Sequence, residues 1–363
     1  MRRYRLTPRL LPGALAAALA LTIAASAAAV TERGDGGNDA LVGTAAADRL
    51  YGKGGHDTLR GLGGRDRADG GTGRDRVDGG SGDDRLLGGT NDDTVLGRTG
   101  DDRVDGNGGG DRVDGGTGHD RIDGGPGRDR VIGGTGDDRM GGGSQADRLD
   151  GGTGRDTIDG DAADDRIFGG DGDDTLVGGA NEDRVDGGDD DDRIDGGPGS
   201  DRLVGGAGND YIAEALAAED ERADGGPGDD YIVTTGGTDR IILGGPGNDV
   251  LFGGPQRPER EGADQFGAGI SAGGPGNDIV LGGGANDRVA GGEGDDRLYG
   301  GARTDLYECG PGNDIAFVEH IAEGFYAAAS GCEQVILGDP SVTDPAFDGL
   351  MGAPQAGKAT GAG

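Results

Sequence analysis

From Asp39 to Ile212 the polar and apolar positions of the chain recur with a period of nine. An aspartate stands at Asp39, Asp48, Asp57 and onward without a slip to Asp201 and Asp210. Two residues after each comes an apolar side chain, nearly always Val, Ile or Leu, with Ala68 and Met140 the weakest cases. From Gly70 three successive units read Gly-Gly-Thr-Gly-Arg-Asp-Arg-Val-Asp, Gly-Gly-Ser-Gly-Asp-Asp-Arg-Leu-Leu and Gly-Gly-Thr-Asn-Asp-Asp-Thr-Val-Leu. Self-similarity at a fixed period is the signature of a solenoid. Glycine's backbone entropy disfavours helix and strand interiors, whereas its access to positive φ favours tight turns, so the first six residues of a unit predict a turn. The last three alternate polar, apolar, polar, as does a short strand with one buried face. Two turns restore the chain's heading. One coil therefore takes two units, with unit n stacked on unit n+2. At about 4.8 Å between strands, this run makes a rod on the order of 48 Å long. The expected fold is all-β, a parallel β-solenoid of about 28 units over the whole chain.

Such a rod lacks a sufficient core. One aliphatic side chain per nine residues buries little against the cost of ordering all nine. Stacking also sets aspartates close together, where they repel. A hard divalent cation reverses that sign. Carboxylates and turn carbonyls form an all-oxygen ligand set, which suits Ca²⁺ better than metals that seek thiolate or imidazole.

Units such as Gly-Gly-Thr-Gly-His-Asp-Arg-Ile-Asp, from Gly115 to Asp123, resemble the nonapeptide of RTX, or haemolysin-type, calcium-binding proteins. That family's pattern is Gly-Gly-x-Gly-x-Asp-x-U-x with U large and aliphatic, and the resemblance covers roughly residues 34 to 318. It implies a parallel β-roll with multiple Ca²⁺ ions between stacked turns, held by the sixth-position aspartate and turn carbonyls. Complete turns end at Asp75, Asp84, Asp120, Asp129, Asp138, Asp156, Asp174, Asp201, Asp210, Asp230, Asp249, Asp278 and Asp296. Asp93, Asp102, Asp111, Asp183, Asp192 and Asp287 complete the expected ligand set. The turns ending at Asp48 and Asp165 lack the inner glycines, and Thr234 and Thr235 replace the opening pair before Asp239, so these three are left out.

Residues 1–29 read as a secretory signal peptide. Arg2, Arg3, Arg5 and Arg9 are followed by an apolar stretch from Leu10 to Ile23 and by small residues from Ala25 to Ala29. The apolar stretch is short for a membrane span, so none is expected after cleavage, and a retained anchor is the alternative. An extracellular location follows. The β-roll occupies 34–212, 225–254 and 273–318, interrupted by 213–224, an inserted loop or short helix, and 255–272, a proline-containing inserted loop. A solenoid end needs a cap, assigned to 305–338 with Tyr307, Phe317, Phe325 and Tyr326, and with an aromatic ligand pocket as the alternative. Residues 339–363 form a flexible tail. Cys309 and Cys332 are the two cysteines, and in an exported protein they most simply form one disulfide within the cap. Endings of this kind in exported relatives of the repeat type imply the same pairing.

Composition narrows the function. With 88 glycines, no tryptophan, 69 acidic and 34 basic residues, the chain carries a formal charge of −35 and has no ordinary globular core. Without cation it should behave as disordered, and its acidity argues against nucleic acid. Arginine at position seven (Arg76, Arg103, Arg112) and aspartate at position nine (Asp78, Asp105, Asp114) predict charged rows along the rod. These rows serve solubility, with a surface for glycans or ice as the alternative. His56, His119 and His320 are scattered, and neither a His-Glu-x-x-His nor a Gly-x-Ser-x-Gly motif occurs, so no enzyme is expected. The sequence thus predicts a secreted calcium-binding rod that folds on its ions and acts as an extracellular structural or adhesive module, with cell-surface glycans as possible partners. The alternative is a calcium-dependent accessory or stabilising module of an extracellular hydrolase or epimerase.

Overall fold

The structure, a computed structural model, describes residues 28–215, 222–235, 241–253, 269–283, 286–301, 305–318 and 329–337. The expected signal peptide (apart from residues 28 and 29), most of the 255–272 loop, Asp239, Phe325, Tyr326 and the expected tail lie outside them. The described residues contain strands and no helix. Successive strands alternate between two sheets, of 17 and 16 strands, and each strand pairs in parallel with those one coil before and one coil after. Arg112–Thr117, for example, lies between Thr94–Thr99 and Arg130–Thr135, with Val113 opposite both Val95 and Val131. Partners are 18 residues apart, so one coil is two nonapeptides, as the period predicts.

The strands are longer than the pattern suggests. Arg76–Ser81 and Arg112–Thr117 each span six residues, with the opening Gly-Gly of the next unit inside the strand. Within such a strand the exposure runs exposed, buried, intermediate, buried, intermediate, exposed. The buried positions are the aliphatic residue and the first glycine. Glycine's entropic penalty is offset here because its peptide groups join the ladders above and below. The turn shrinks to the last three residues of the motif. The glycines at positions two and four both take positive φ, 104° at Gly71 near the end of its strand and 116° at Gly73 in the turn itself.

Between the sheets lies one continuous core built from the eighth-position side chains, such as Leu50, Leu86, Leu149, Ile167 and Leu203, each no more than 1% exposed. Strands also occupy parts of the expected insertions. Tyr211–Ala215 and Arg222–Asp224 flank residues 216–221, where the sequence suggests a loop or short helix, and Ile270–Pro275 begins inside the expected 255–272 loop. The stack takes up the added length by lengthening single coils: stacked aspartates are 20, 19 and 29 residues apart at Asp210–Asp230, Asp230–Asp249 and Asp249–Asp278. At the amino end Thr31–Arg33 already pairs with Arg49–Tyr51.

Towards the carboxyl end Leu306–Glu308, Ile315–Val318, Ala329–Ser330 and Gln334–Leu337 continue the same two sheets. Cys309 and Cys332 form the expected disulfide, with 5.1 Å between Cα atoms. The aromatics divide between two layers. Tyr307 is in the interior, where its hydroxyl donates to Phe317 O and accepts from Gly300 N–H. Tyr299 and Phe317 stack on the outer face of the first sheet, 4.6 Å apart, beside Leu281.

Candidate metal centre

From Asp48 onward every sixth-position aspartate in the described residues is buried, because the turn folds its side chain back between the sheets, while Asp39 at the amino end is half-buried. These aspartates form two columns along the rod. In one, the backbone N–H of each aspartate from Asp57 to Asp183 donates to Oδ1 of the aspartate one coil later, through Asp75, Asp93, Asp111, Asp129, Asp147 and Asp165 to Asp201. In the other, the same bond runs from Asp48 through Asp66, Asp84, Asp102, Asp120, Asp138, Asp156, Asp174 and Asp192 to Asp210. It then continues through Asp230, Asp249, Asp278 and Asp296 to Asp314. Asp287 accepts from Gly269 and donates to Asp305. All the expected ligands therefore stand in two ladders, at 2.7–2.9 Å per bond along the runs from Asp48 and Asp57.

Asp57, Asp66, Asp147, Asp165, Asp305 and Asp314 stand in the same columns, although the completeness of their turns did not single them out. The nine-residue register alone would have found them. Asp165, whose turn lacks the inner glycines, keeps the ladder geometry. Asp48 differs: both the N–H and the hydroxyl of Thr44 donate to its Oδ2, at 2.5 and 3.0 Å.

For the aspartates between Asp57 and Asp192 the second oxygen, Oδ2, is buried and has no hydrogen-bond partner. It faces the first glycine of its own turn. A Cβ placed on Gly169 would lie 2.3 Å from Asp174 Oδ2 and 2.4 Å from the Gly187 carbonyl oxygen. A carboxylate oxygen and a carbonyl oxygen thus converge where only glycine leaves room. Burial pushes Asp84, Asp102, Asp138 and Asp174 up to about 7, and Asp192 up to about 8. Neighbouring carboxylates add to the rise, and the hydrogen bond from the preceding aspartate pulls against it. A buried carboxylate in this state needs a proton or a cation.

The donor chemistry fits calcium. Among the described residues no three His, Cys, Asp or Glu side chains converge, so a bound cation would draw on carbonyl oxygens as well as carboxylates. An all-oxygen set of this kind is the preference of Ca²⁺.

The family description RTX calcium-binding nonapeptide repeat (4 copies) matches residues 33–68, 61–95, 69–104, 87–122, 105–140, 141–176, 177–212, 218–245, 224–257 and 272–307. No curated protein matches the chain. Among solved structures, a hyperactive, Ca²⁺-dependent, β-helical antifreeze protein from an Antarctic bacterium is 19% identical, over 84% of this chain and 93% of its own, with a TM-score of 0.42.

Proposed function

The chain belongs to the RTX calcium-binding nonapeptide-repeat family, and from that premise we propose that it is a secreted protein whose roll folds on binding multiple Ca²⁺ ions and then acts as a rigid extracellular structural or adhesive module. One observation carries the reading: two columns of buried aspartates, of which those from Asp57 to Asp192 each hold an Oδ2 without a hydrogen-bond partner. The ladder explains how one side chain serves two purposes. Oδ1 holds the coil before it through that coil's N–H, and Oδ2 is left for the ion.

The proposed ligands are the ladder aspartates from Asp75 to Asp138, with Asp156, Asp174, Asp183, Asp192, Asp201, Asp210, Asp230, Asp249, Asp278, Asp287 and Asp296, together with turn carbonyls. Calcium supplies the positive charge that lets these carboxylates remain ionised in the interior. Glycine at position one excludes a side chain from the same space. The exposed arginine and aspartate rows keep the faces soluble. Pairs in these rows, such as Arg112–Asp114 at 3.5 Å, and pairs between fifth-position turn residues, such as Arg74–Asp92 at 2.7 Å, stand in solvent and contribute little to stability.

Far-ultraviolet circular dichroism of residues 30–363 during a calcium titration after chelation tests the proposal. The expected result is a cooperative coil-to-β transition at about 0.1–1 mM Ca²⁺, absent with Na⁺ at equal ionic strength. A spectrum already β-rich and heat-stable in chelator would sink it.

A further inference from the structure

From Arg112 to Arg222 the second sheet carries one outward arginine on every coil. Arg130, Arg148, Arg166, Arg184 and Arg202 stand between those two in an unbroken row, each directly opposite the next. The end members pair with Asp114 and Asp224, at 3.5 and 3.2 Å. Among the described residues the five between them hold no ion pair, and four of the five are exposed. The fifth, Arg148, lies over the Phe168 ring at 4.3 Å from its centroid. The outward place beside the row is Ile132, Asp150, Phe168, Asp186 and Val204 on successive coils, so five guanidinium groups stand beside two carboxylates. The first sheet is balanced over the matching coils, with Arg121, Arg139 and Arg193 beside Asp123, Asp159 and Asp195. Like charges set directly opposite in a sheet repel. In a chain whose formal charge is −35, this row of positive charge goes unmatched from within.

The same coils carry the opposite sign along one edge. At the turns that lead from the second sheet into the first, the fifth position is Asp83, Asp101, Asp137, Asp173 and Asp191, all exposed. Asp83 and Asp173 pair with Arg65 and Arg155 of the same edge. Asp101, Asp137 and Asp191 pair with no arginine; Oδ1 of each accepts one backbone N–H, from His119, Arg155 and Asn209. We propose that the arginine row of one roll docks along this acidic edge of a second copy, so that calcium-loaded rolls associate side by side. Row and edge both advance one residue per coil, about 4.8 Å, so a contact made at one coil recurs in register at the next. Exposed pairs contribute little singly, but several in register form a network. Row and edge are different surfaces of the same roll, so the contact is heterologous and leaves each end member of an assembly with one surface free. It needs the folded roll and so rests on the calcium reading above. Each bound Ca²⁺ also removes two negative charges from the repulsion between copies.

Sedimentation velocity of the full chain in calcium, with circular dichroism on the same samples, tests the contact. Wild type is compared with two double variants, Arg166→Thr with Arg184→Thr in the row and Asp137→Asn with Asp191→Asn on the edge. The new residues already occur at these positions, as Thr94 and Asn209, so both variants should fold as wild type does. Wild type is expected to associate with rising concentration at low salt and to separate at about 1 M NaCl, where the Debye length is about 3 Å. Each double variant should weaken association roughly fivefold, the loss of two exposed pairs. An equimolar mixture of the two should associate more tightly than either alone, since each supplies the surface the other lacks. A wild type that stays monomeric at low salt while folded overturns the inference and leaves the calcium reading standing. So does one that associates only when polygalacturonate is added, which would assign the row to a soluble polyanion. Association that neither salt nor substitution changes, or a mixture no tighter than its parts, overturns it as well. Absence of any calcium-driven folding would overturn both readings.

Discussion

At a single repeat, glycine at position one and aspartate at position six share one space, and the two residues make sense only together. Gly169 has no room for a methyl group, since Asp174 Oδ2 and Gly187 O both crowd the place it would take. Gly141, on the outward side of its strand, has room: the nearest atom to a Cβ there is Asp161 Oδ2 at 3.5 Å. Gly169→Ala is therefore expected to destabilise the roll by about 1–3 kcal/mol through overpacking. Gly141→Ala should be neutral or stabilise by up to about 1 kcal/mol, because alanine narrows the unfolded ensemble. The midpoint of the calcium-driven dichroism transition, compared between the two variants, checks the pair. Equal midpoints would mean the first glycine is not there to make room for the carboxylate. This coupling was legible in the sequence only as a recurrence. The spacing of Gly169 and Asp174 is visible there, but not that one occupies the volume the other vacates.

Among strands and turns, much of the architecture could be read directly, because a period of nine with one apolar position per unit admits few arrangements. Strand length could not. Runs such as Asp-Gly-Gly-Thr, from Asp114 to Thr117, read as turn from glycine's own preferences, yet Arg112–Thr117 is one strand because the coils on either side supply its hydrogen bonds. The run from Ala213 to Ala223 lies only partly within the described residues, and its first residues pair as strand. Its alanine and glutamate content favours helix, whereas stacking on the preceding coils draws Tyr211–Ala215 into the first sheet. Counting 18 residues on from Gly196 would have placed Glu214 in the interior. The disulfide acts on the last strands alone. Bridging Cys309 and Cys332, 23 residues apart, contributes about 3 kcal/mol by restricting the unfolded chain. Reduction, followed by amide hydrogen exchange in calcium, should expose Ala329–Ser330 and Gln334–Leu337 while coils before Gly253 stay protected. Uniform loss of protection along the rod would contradict a local role.

For the whole molecule, the two columns make stability a function of proton and calcium activity together. Burial raises Asp84, Asp102, Asp138 and Asp174 to about 7 and Asp192 to about 8, against about 3.9 in an unfolded chain. The folded, metal-free roll thus holds protons that the unfolded chain has released. Its stability is greatest below pH 4 and is lost as pH rises to about 7 or 8. In chelator, the β-type dichroism signal should therefore grow as pH is lowered from 8 to 5. In calcium the dependence reverses, since protons compete for the same oxygens, and the calcium midpoint should rise over that interval. A midpoint independent of pH would separate the aspartates from the ion. The 18-residue step between stacked aspartates also governs how such a chain can change in length over generations. Removing one whole coil from the uninterrupted run leaves every downstream strand in its own sheet. Removing a single nonapeptide moves all that follows to the opposite sheet, and carries the Tyr299–Phe317 stack to the other side of the rod. Additions that are not whole repeats are absorbed within a single coil that keeps its strands in register, as in the steps of 19, 20 and 29 residues. Descendants of this sequence should therefore differ by paired repeats far more often than by odd ones.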